Sequence, residues 1–287
     1  MGCLNSNENF SHWFGNIHLS GPCNRSCYFC IGQHMMSLDS YNTLDTWPLN
    51  GLDKFVANCL RRDVHEVNVT GTNTDPLLFK HTAKLRMILE KAIPNLRLGL
   101  RTNGAVFLSR PEIVAQYDKG SVTICSADPD VYRAMMGCGD VPDIKAIIKL
   151  ARTMGWIDIK ANVVIGPENC SGDNPDVLKT IQKLADAGFN KINLREPYGQ
   201  SHVGNPLAFR IPDAYTLGMP TYQMGGASVV YWDVHYVEVE SVNLYASGHV
   251  SETYPITKGH DPIRGVVKDQ SNFGHGRHRK QWLRVLA

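Results

Sequence analysis

The sequence predicts an α/β fold, a partial (βα)6 TIM-like barrel over residues 1–200 with a short C-terminal antiparallel β extension and basic tail over residues 201–287. Three observations predict it. Short β-rich runs alternate with helical patterns six times before residue 200, and successive β–α units imply parallel strands with right-handed crossovers. Runs such as Ala161-Asn162-Val163-Val164-Ile165 are almost continuously apolar, as suits a sheet covered by helices. After Tyr198 the alternation stops, and Val229 to Tyr245 is long, aromatic and β-branched.

The elements follow in order. A first strand is expected at Phe14–Ser20, ended by Gly21-Pro22. Leu52, Phe55, Val56 and Leu60 have helical spacing within Gly51–Arg62, so a helix is expected there. Val64–Thr70 is the second strand, and Leu77–Ala92 is a helix stopped by Pro94. Leu96–Arg101 is the third strand. Ser109-Arg110-Pro111-Glu112 has the form of a capping box with proline in the first turn, predicting a helix to about Tyr117. Ser121–Ser126 is the fourth strand, Val141–Met154 is mostly helical, and Asp158–Ile165 is the fifth strand. Pro175–Ala187 is a helix ended by Gly188, and Lys191–Arg195 is the sixth strand. Beyond the barrel, Val229–Tyr245 and His249–Ile256 flank a Ser247-Gly248 turn and predict an antiparallel hairpin. Tyr231, Asp233 and His235 would share one face of it, and Trp232, Val234 and Tyr236 the other. Such a hairpin is placed to close the open barrel and to touch substrate. Functional residues are expected at the carboxyl ends of the strands.

The 287 residues are 43% hydrophobic and 20% charged, which excludes disordered and collagen-like chains. Lys and Arg total 29 against 27 Asp and Glu, a net charge of +2. RNA then remains possible only through a local patch such as His275, Arg277, His278, Arg279 and Lys280. Met1–Phe10 is polar, without the pattern of a secretory leader. No apolar run is long enough to span a bilayer, so a cytoplasmic location and no membrane partner are expected.

Eight cysteines stand at 3, 23, 27, 30, 59, 125, 138 and 170. In a reducing compartment, cysteines clustered in sequence point to metal or catalysis rather than disulfides. Cys23-Asn24-Arg25-Ser26-Cys27-Tyr28-Phe29-Cys30 places three thiolates in a loop directly after a strand, which suits an iron–sulfur cluster. Three local ligands to a [4Fe–4S] cluster leave one iron open, and an open position means chemistry. The alternative is zinc completed by Cys3, Cys59 or a histidine.

A C-x3-C-x2-C triplet with an aromatic before its third cysteine resembles the radical S-adenosylmethionine (SAM) superfamily, and in particular the barrel of its molybdenum-cofactor-biosynthesis/SPASM-type branch. The resemblance continues in order along most of the first 200 residues. Thr70-Gly71-Thr72-Asn73-Thr74-Asp75-Pro76-Leu77 stands where the family has its Gly-Gly-Glu-Pro loop for the methionine amino group. Here that loop is altered and lengthened by two residues. Asp75 replaces the Glu, or the Gly71 or Thr72 carbonyl holds the amino group. Arg101-Thr102-Asn103-Gly104 resembles the Thr-Asn-Gly segment. Ile124-Cys125-Ser126-Ala127-Asp128-Pro129 is similar to Ile-Ser-x-Asp, followed by Val131-Tyr132-Arg133 and Gly137. Asn162-Val163-Val164-Ile165-Gly166 looks like the strand lining the adenosyl group, and Arg195-Glu196-Pro197 resembles the closing strand.

The resemblance implies a [4Fe–4S] cluster on Cys23, Cys27 and Cys30, with SAM chelating the open iron. Reduction would then yield a 5′-deoxyadenosyl radical that abstracts a hydrogen atom. It implies SAM contacts from Phe29, Gly71, Thr72, Asn73, Asp75, Arg101, Asn103, Ser126, Asn162 and Val164. It also implies a flavodoxin- or ferredoxin-type electron donor. Candidate catalytic residues are Cys138 and Cys170, as hydrogen donors, and Glu196 and Tyr198 at the mouth, with His202 beside them. Cys125 and Cys59 are expected to be structural, since strand alternation turns Cys125 toward the helices. The lack of cysteine after Cys170 argues against auxiliary clusters. The expected function is a single-cluster radical SAM enzyme acting on a small polar molecule such as a sugar, nucleoside or peptide-derived metabolite, by oxidation, epimerisation or rearrangement. The alternatives are a radical SAM enzyme modifying RNA or peptide, and a non-catalytic iron–sulfur or zinc module.

Overall fold

The computed structural model describes residues 13–34, 41–172, 175–198, 203–233, 240–253, 260–261 and 266–267. The six barrel strands form as expected, with small shifts at their ends. They are β1 (Phe14–Leu19), β2 (Glu66–Gly71), β3 (Arg97–Thr102), β4 (Lys119–Thr123), β5 (Asp158–Val164) and β6 (Lys191–Arg195). The later strands are β7 (Ala214–Thr216), β8 (Met219–Met224), β9 (Ala227–Trp232), β10 (Ser241–Leu244) and β11 (Val250–Ser251). All belong to one sheet of order β11-β10-β1-β2-β3-β4-β5-β6-β9-β8-β7.

The extension differs from the expected hairpin. Val229–Tyr245 is not one arm: β9 pairs in parallel with β6, and β10 pairs in parallel with β1 at the opposite edge. The Ser247-Gly248 turn does carry β11 back antiparallel onto β10. A second antiparallel hairpin, β8–β9, lies earlier. Its turn is Gly225-Gly226, with φ of 58° and 84°, the left-handed pair that a two-residue hairpin turn requires. Val234, His235 and Tyr236 lie outside the described residues, as do Cys3, His202 and the basic tail.

The short link between β9 and β10 dictates curvature. Eight residues separate Trp232 from Ser241, a reach of roughly 30 Å. A flat sheet would set these two strands about 34 Å apart at ~4.8 Å per neighbour, before the return to the start of β10 is counted. The sheet therefore curls into an open barrel.

The helices are α1 (Leu52–Arg61), α2 (Thr82–Ala92), α3 (Pro111–Val114), α4 (Pro129–Met136), α5 (Ile144–Thr153), α6 (Pro167–Cys170) and α7 (Asp176–Ala187). The helix expected from Leu77 starts only at Thr82, because Asp75 caps a separate 3-10 turn, Pro76–Leu78. The expected Ser109 box does not form. Ser109 Oγ donates to the Val106 carbonyl, and Arg110 is the N-cap of a single turn. Helix α4 is marked by Asp128-Pro129, where the Asp128 carboxylate accepts from the N–H groups of Asp130 and Val131, an N-cap with proline at the first position.

Alternation assigns the two faces of the sheet. A Cβ on Gly15 would meet the Phe55 ring of α1 at 2.8 Å, so Gly15, Ile17 and Leu19 face the helices and build the apolar core. A Cβ on Gly99 would instead meet Asn68 Oδ1 at 2.3 Å and Lys119 Cε at 3.7 Å, so those residues share the concave face. Register sorts that face into rows. Asn243, Asn16, Asn68, Gly99, Lys119 and Asp158 form one row. Two residues higher stand Arg101, Ser121 and Lys160. Above them come Thr123, Asn162, Asn193 and Val230, and then Val164, Arg195 and Trp232. TIM barrels usually fill such layers with branched apolar side chains. These rows are largely polar, and Asn243, Asn16, Asn68 and Asn162 within them are buried, so the concave face is a polar interior rather than an apolar core.

Candidate active site

The three-cysteine loop sits at the carboxyl end of β1, gripped by the loops after β2, β3 and β4. From the β2 side, Thr72 donates its N–H to the Leu19 carbonyl at 3.0 Å and Thr74 Oγ1 donates to the Pro22 carbonyl at 2.7 Å. Asn73 Oδ1 accepts from the Gly21 N–H at 3.0 Å. From the β3 side, Asn103 Nδ2 donates to Asn24 Oδ1 at 2.8 Å and lies 3.9 Å from Cys23 Sγ. From the β4 side, Ser26 N–H donates to the Met136 carbonyl at 3.1 Å. A Cβ on Gly137 would lie 2.2 Å from Ser26 Oγ. Its φ of 77° also suits glycine, so α4 can end against the loop only there.

Cys23 is exposed, and Cys27 and Cys30 are half-buried. Cys30 Sγ contacts the Thr72 carbonyl at 3.2 Å, and Cys27 Sγ lies 3.6 Å from Met136 Sδ. Burial, then the charges of Cys30 and Cys23, push the Cys27 thiol up to about 12. Burial also raises Cys23 and Cys30. Thiols whose ionisation is opposed by burial, and at Cys27 and Cys23 also by a neighbouring cysteine, suit a multiply charged metal centre, whose field reverses that effect. Asn24 Nδ2 is buried with no hydrogen-bond partner among the described residues, a spare donor of the kind cluster sulfurs accept. Among the described residues no three His, Cys, Asp or Glu side chains converge on a single metal ion. A cluster needs no such focus, because each cysteine takes a different iron. The donor set fits a cubane cluster.

Asp75 is buried, and its carboxylate takes three donors: Leu77 N–H at 2.9 Å, Thr102 Oγ1 at 2.7 Å and Asn103 N–H at 2.7 Å. Burial raises it, against those hydrogen bonds. Asp75 thus pins the β2 loop to the end of β3, while the Thr72 carbonyl faces Cys30. A Cβ on Gly71 would lie 1.7 Å from the Thr74 carbonyl oxygen, so this bend also needs glycine. Phe29 and Val164 meet on the apolar group of Cys125, Tyr132, Met135 and Met136. Tyr28 OH donates to Glu168 at 2.7 Å, docking the loop on the turn after β5. Asn162 lies on the concave face and accepts from Asn193 Nδ2 at 3.3 Å. Arg101 lies one row below it. Ser126 is fully buried, and its hydroxyl accepts from Asp128 N–H at 2.8 Å, as part of the α4 cap.

The remaining candidates are dispersed. Cys138 is exposed beside the cysteine loop, its Sγ 3.7 Å from the Asn24 carbonyl. Cys170 ends α6 and packs on the main core, where burial pushes its thiol up to about 11. Cys125 and Cys59 are both buried, as structural thiols would be, but alternation does not turn Cys125 toward the helices: Ile124 joins the main core, and Cys125 packs beside Phe29, Cys27 and Met136. Glu196 is buried and accepts from Tyr231 OH at 2.9 Å and the Gly204 N–H at 2.8 Å. Tyr198 meets the ring of His34 edge-on at 5.4 Å. Through that pair, the loops after β1 and β6 touch. Sequence reasoning missed His34, whose only signal is its place four residues past Cys30.

A curled parallel sheet with a partly exposed cysteine triplet at its first strand end is the frame of a barrel enzyme built around a metal cluster. A model of the radical SAM superfamily matches residues 17–173, and the chain belongs to that superfamily. Its members use a [4Fe–4S] cluster and SAM. The chain is 28% identical to a GTP 3',8-cyclase of Pseudomonas entomophila (strain L48) over 173 residues, covering 59% of this chain and 48% of that protein. It is 25% identical to an S-adenosylmethionine-dependent nucleotide dehydratase of Selenomonas ruminantium over 173 residues, covering 55% of this chain and 58% of that protein. It spans about half the length of the first of these relatives. Among solved structures, Streptococcus suis SuiB aligns with a TM-score of 0.48 at 16% identity, over 72% of this chain and 44% of that one. Among the described residues no helix is long and apolar enough to cross a membrane.

Proposed function

We propose that this radical SAM enzyme acts on a small polar substrate of the nucleoside class. The observation that carries the catalytic reading is the cysteine triplet held by three strand-end loops at the open end of a polar barrel. The nucleoside class draws on two relatives whose names specify GTP and a nucleotide. When bound, the cluster and SAM supply reductive cleavage of the sulfonium, chemistry that belongs to the cofactors. The protein's part is placement. Cys23, Cys27 and Cys30 hold the metal, and the Thr72 carbonyl, beside Cys30, receives the methionine amino group. Asn103 and Asn162 bind ribose or carboxylate oxygens, and Phe29 and Val164 form the apolar seat for adenine. Asp75 and Ser126 act through the backbone, fixing the β2 loop and the start of α4. Electrons come from a flavodoxin- or ferredoxin-type donor.

Anaerobic reconstitution with iron and sulfide, followed by dithionite and SAM, tests this reading. The expected result is 5′-deoxyadenosine from the wild-type chain and none from Cys27→Ala. Equal product from both would overturn it.

A further inference from the structure

We infer that Asn24 and Arg25, the two residues after Cys23, raise the reduction potential of the cluster, Asn24 by donating its side-chain N–H to a cluster sulfur and Arg25 by its charge. The orientation of Asn24 is fixed from a distance. The Ala105 N–H can only donate, and it donates to Asn103 Oδ1 at 2.9 Å. Asn103 therefore presents its Nδ2 to Asn24, where Oδ1 accepts at 2.8 Å. Asn24 must then turn its own Nδ2 the other way, into a buried position with no partner among the described residues. An unmade hydrogen bond there is costly, and Cys23 Sγ lies 3.7 Å from the same amide group. Thiolate and sulfide sulfurs of a cluster on this loop are the acceptors that the donor lacks. The second lone pair of Asn103 Oδ1 stays open for a ribose hydroxyl.

Arg25 is held just as firmly, and by neutral groups. Its guanidinium donates to the Asn24 carbonyl at 3.0 Å, the Asp140 carbonyl at 3.2 Å and Tyr132 OH at 3.4 Å. The Asp140 carboxylate turns instead toward Arg133, at 3.8 Å. The guanidinium lies 5.8 Å from the centre of the Tyr132 ring, and Cys27 packs on the same apolar group as that ring. Gly139, with a φ of 79°, makes the room, since a Cβ there would lie 2.4 Å from a guanidinium nitrogen. With three thiolate ligands the oxidised centre is already anionic, and reduction adds another negative charge. A fixed cation and a donated hydrogen bond both favour the reduced form.

This inference rests on the reading of Cys23, Cys27 and Cys30 as the ligands of a [4Fe–4S] cluster, so iron and sulfide content are measured before potential. The full chain, reconstituted anaerobically, is titrated with reductant in the absence of SAM and followed by the EPR signal of the reduced cluster. Asn24→Ala and Arg25→Gln are each expected to make reduction about tenfold less favourable, a fall of about 59 mV. Lys145→Met, exposed on α5, should leave the potential unchanged. Pulsed EPR of chain with isotopically labelled asparagine side-chain nitrogen reads the hydrogen bond itself. A nitrogen coupling is expected in wild type and lost in Asn24→Asp, which keeps the acceptor for Asn103. Where a variant takes up no iron, the labelled wild type decides. Iron-loaded variants with the wild-type potential, or a wild-type cluster without the coupling, overturn the inference and spare the cluster reading. An equal fall in Lys145→Met also overturns it. A wild-type chain that takes up no iron and sulfide overturns both.

Discussion

Asp75 shows how a residue type can be read from sequence while its work cannot. It stands in the loop after β2, where the resemblance offers it as one replacement for the family's Glu, but its oxygens turn to Thr102, Asn103 and Leu77. Asp75→Asn leaves at least one buried donor badly matched and should cost about 1–3 kcal/mol, read by urea denaturation. Glu196 is a similar case. Arg195 shares a row with Val164 and Trp232, and the next position falls on the other face, where Glu196 meets Tyr231. Tyr231→Phe should therefore lower stability by about 1 kcal/mol and leave the rate of SAM cleavage within about twofold, which chromatography of 5′-deoxyadenosine checks. His18, on the concave face, is fully buried and stacked on Tyr245 with ring centroids 4.9 Å apart. Burial lowers its pKa from 6.5 to about 3, with a hydrogen bond to Asn243 opposing and Arg101 adding to the shift. The unfolded chain thus binds a proton between those values that the folded chain refuses. Stability should fall as pH drops from about 6.5 toward 3, by up to ~1.4 kcal/mol per unit, with no contribution above that window. Folded His18→Asn should show a shallower acid slope than wild type when denaturation is followed from pH 4 to 7.

Elements with an unbroken period were legible, and those that depend on contacts distant in sequence were not. The six barrel strands and helices α1, α5 and α7 follow from apolar spacing that tertiary packing reinforces. Helix α4 was missed because its signals are a cap and a glycine rather than a long period. The stretch from Val229 to Tyr245 looked like one arm because β9 and β10 are both β-branched and near in sequence. Nothing local says that they pair with opposite edges. The grip on the cysteine loop was legible only in its cysteines, since Thr74, Met136 and Gly137 reach it from other units. Gly137→Ala should push the loop aside, because φ is left-handed there and Ser26 occupies the added volume. The expected outcome is a lower iron content after reconstitution than wild type, measured colorimetrically beside a circular-dichroism check of folding.

The whole molecule follows from curvature. A short link between β9 and β10 forces the sheet to curl, the curl brings polar rows inside, and the strand ends present the cysteine loop at one rim. With Cys23, Cys27 and Cys30 as the ligands we propose, iron analysis should give about four irons per chain rather than about eight. The most direct test is the fate of SAM on the reduced, reconstituted chain. The account predicts 5′-deoxyadenosine from wild type and none when Cys23, Cys27 and Cys30 are all replaced by alanine. A chain that binds zinc in place of iron and leaves SAM intact would contradict it.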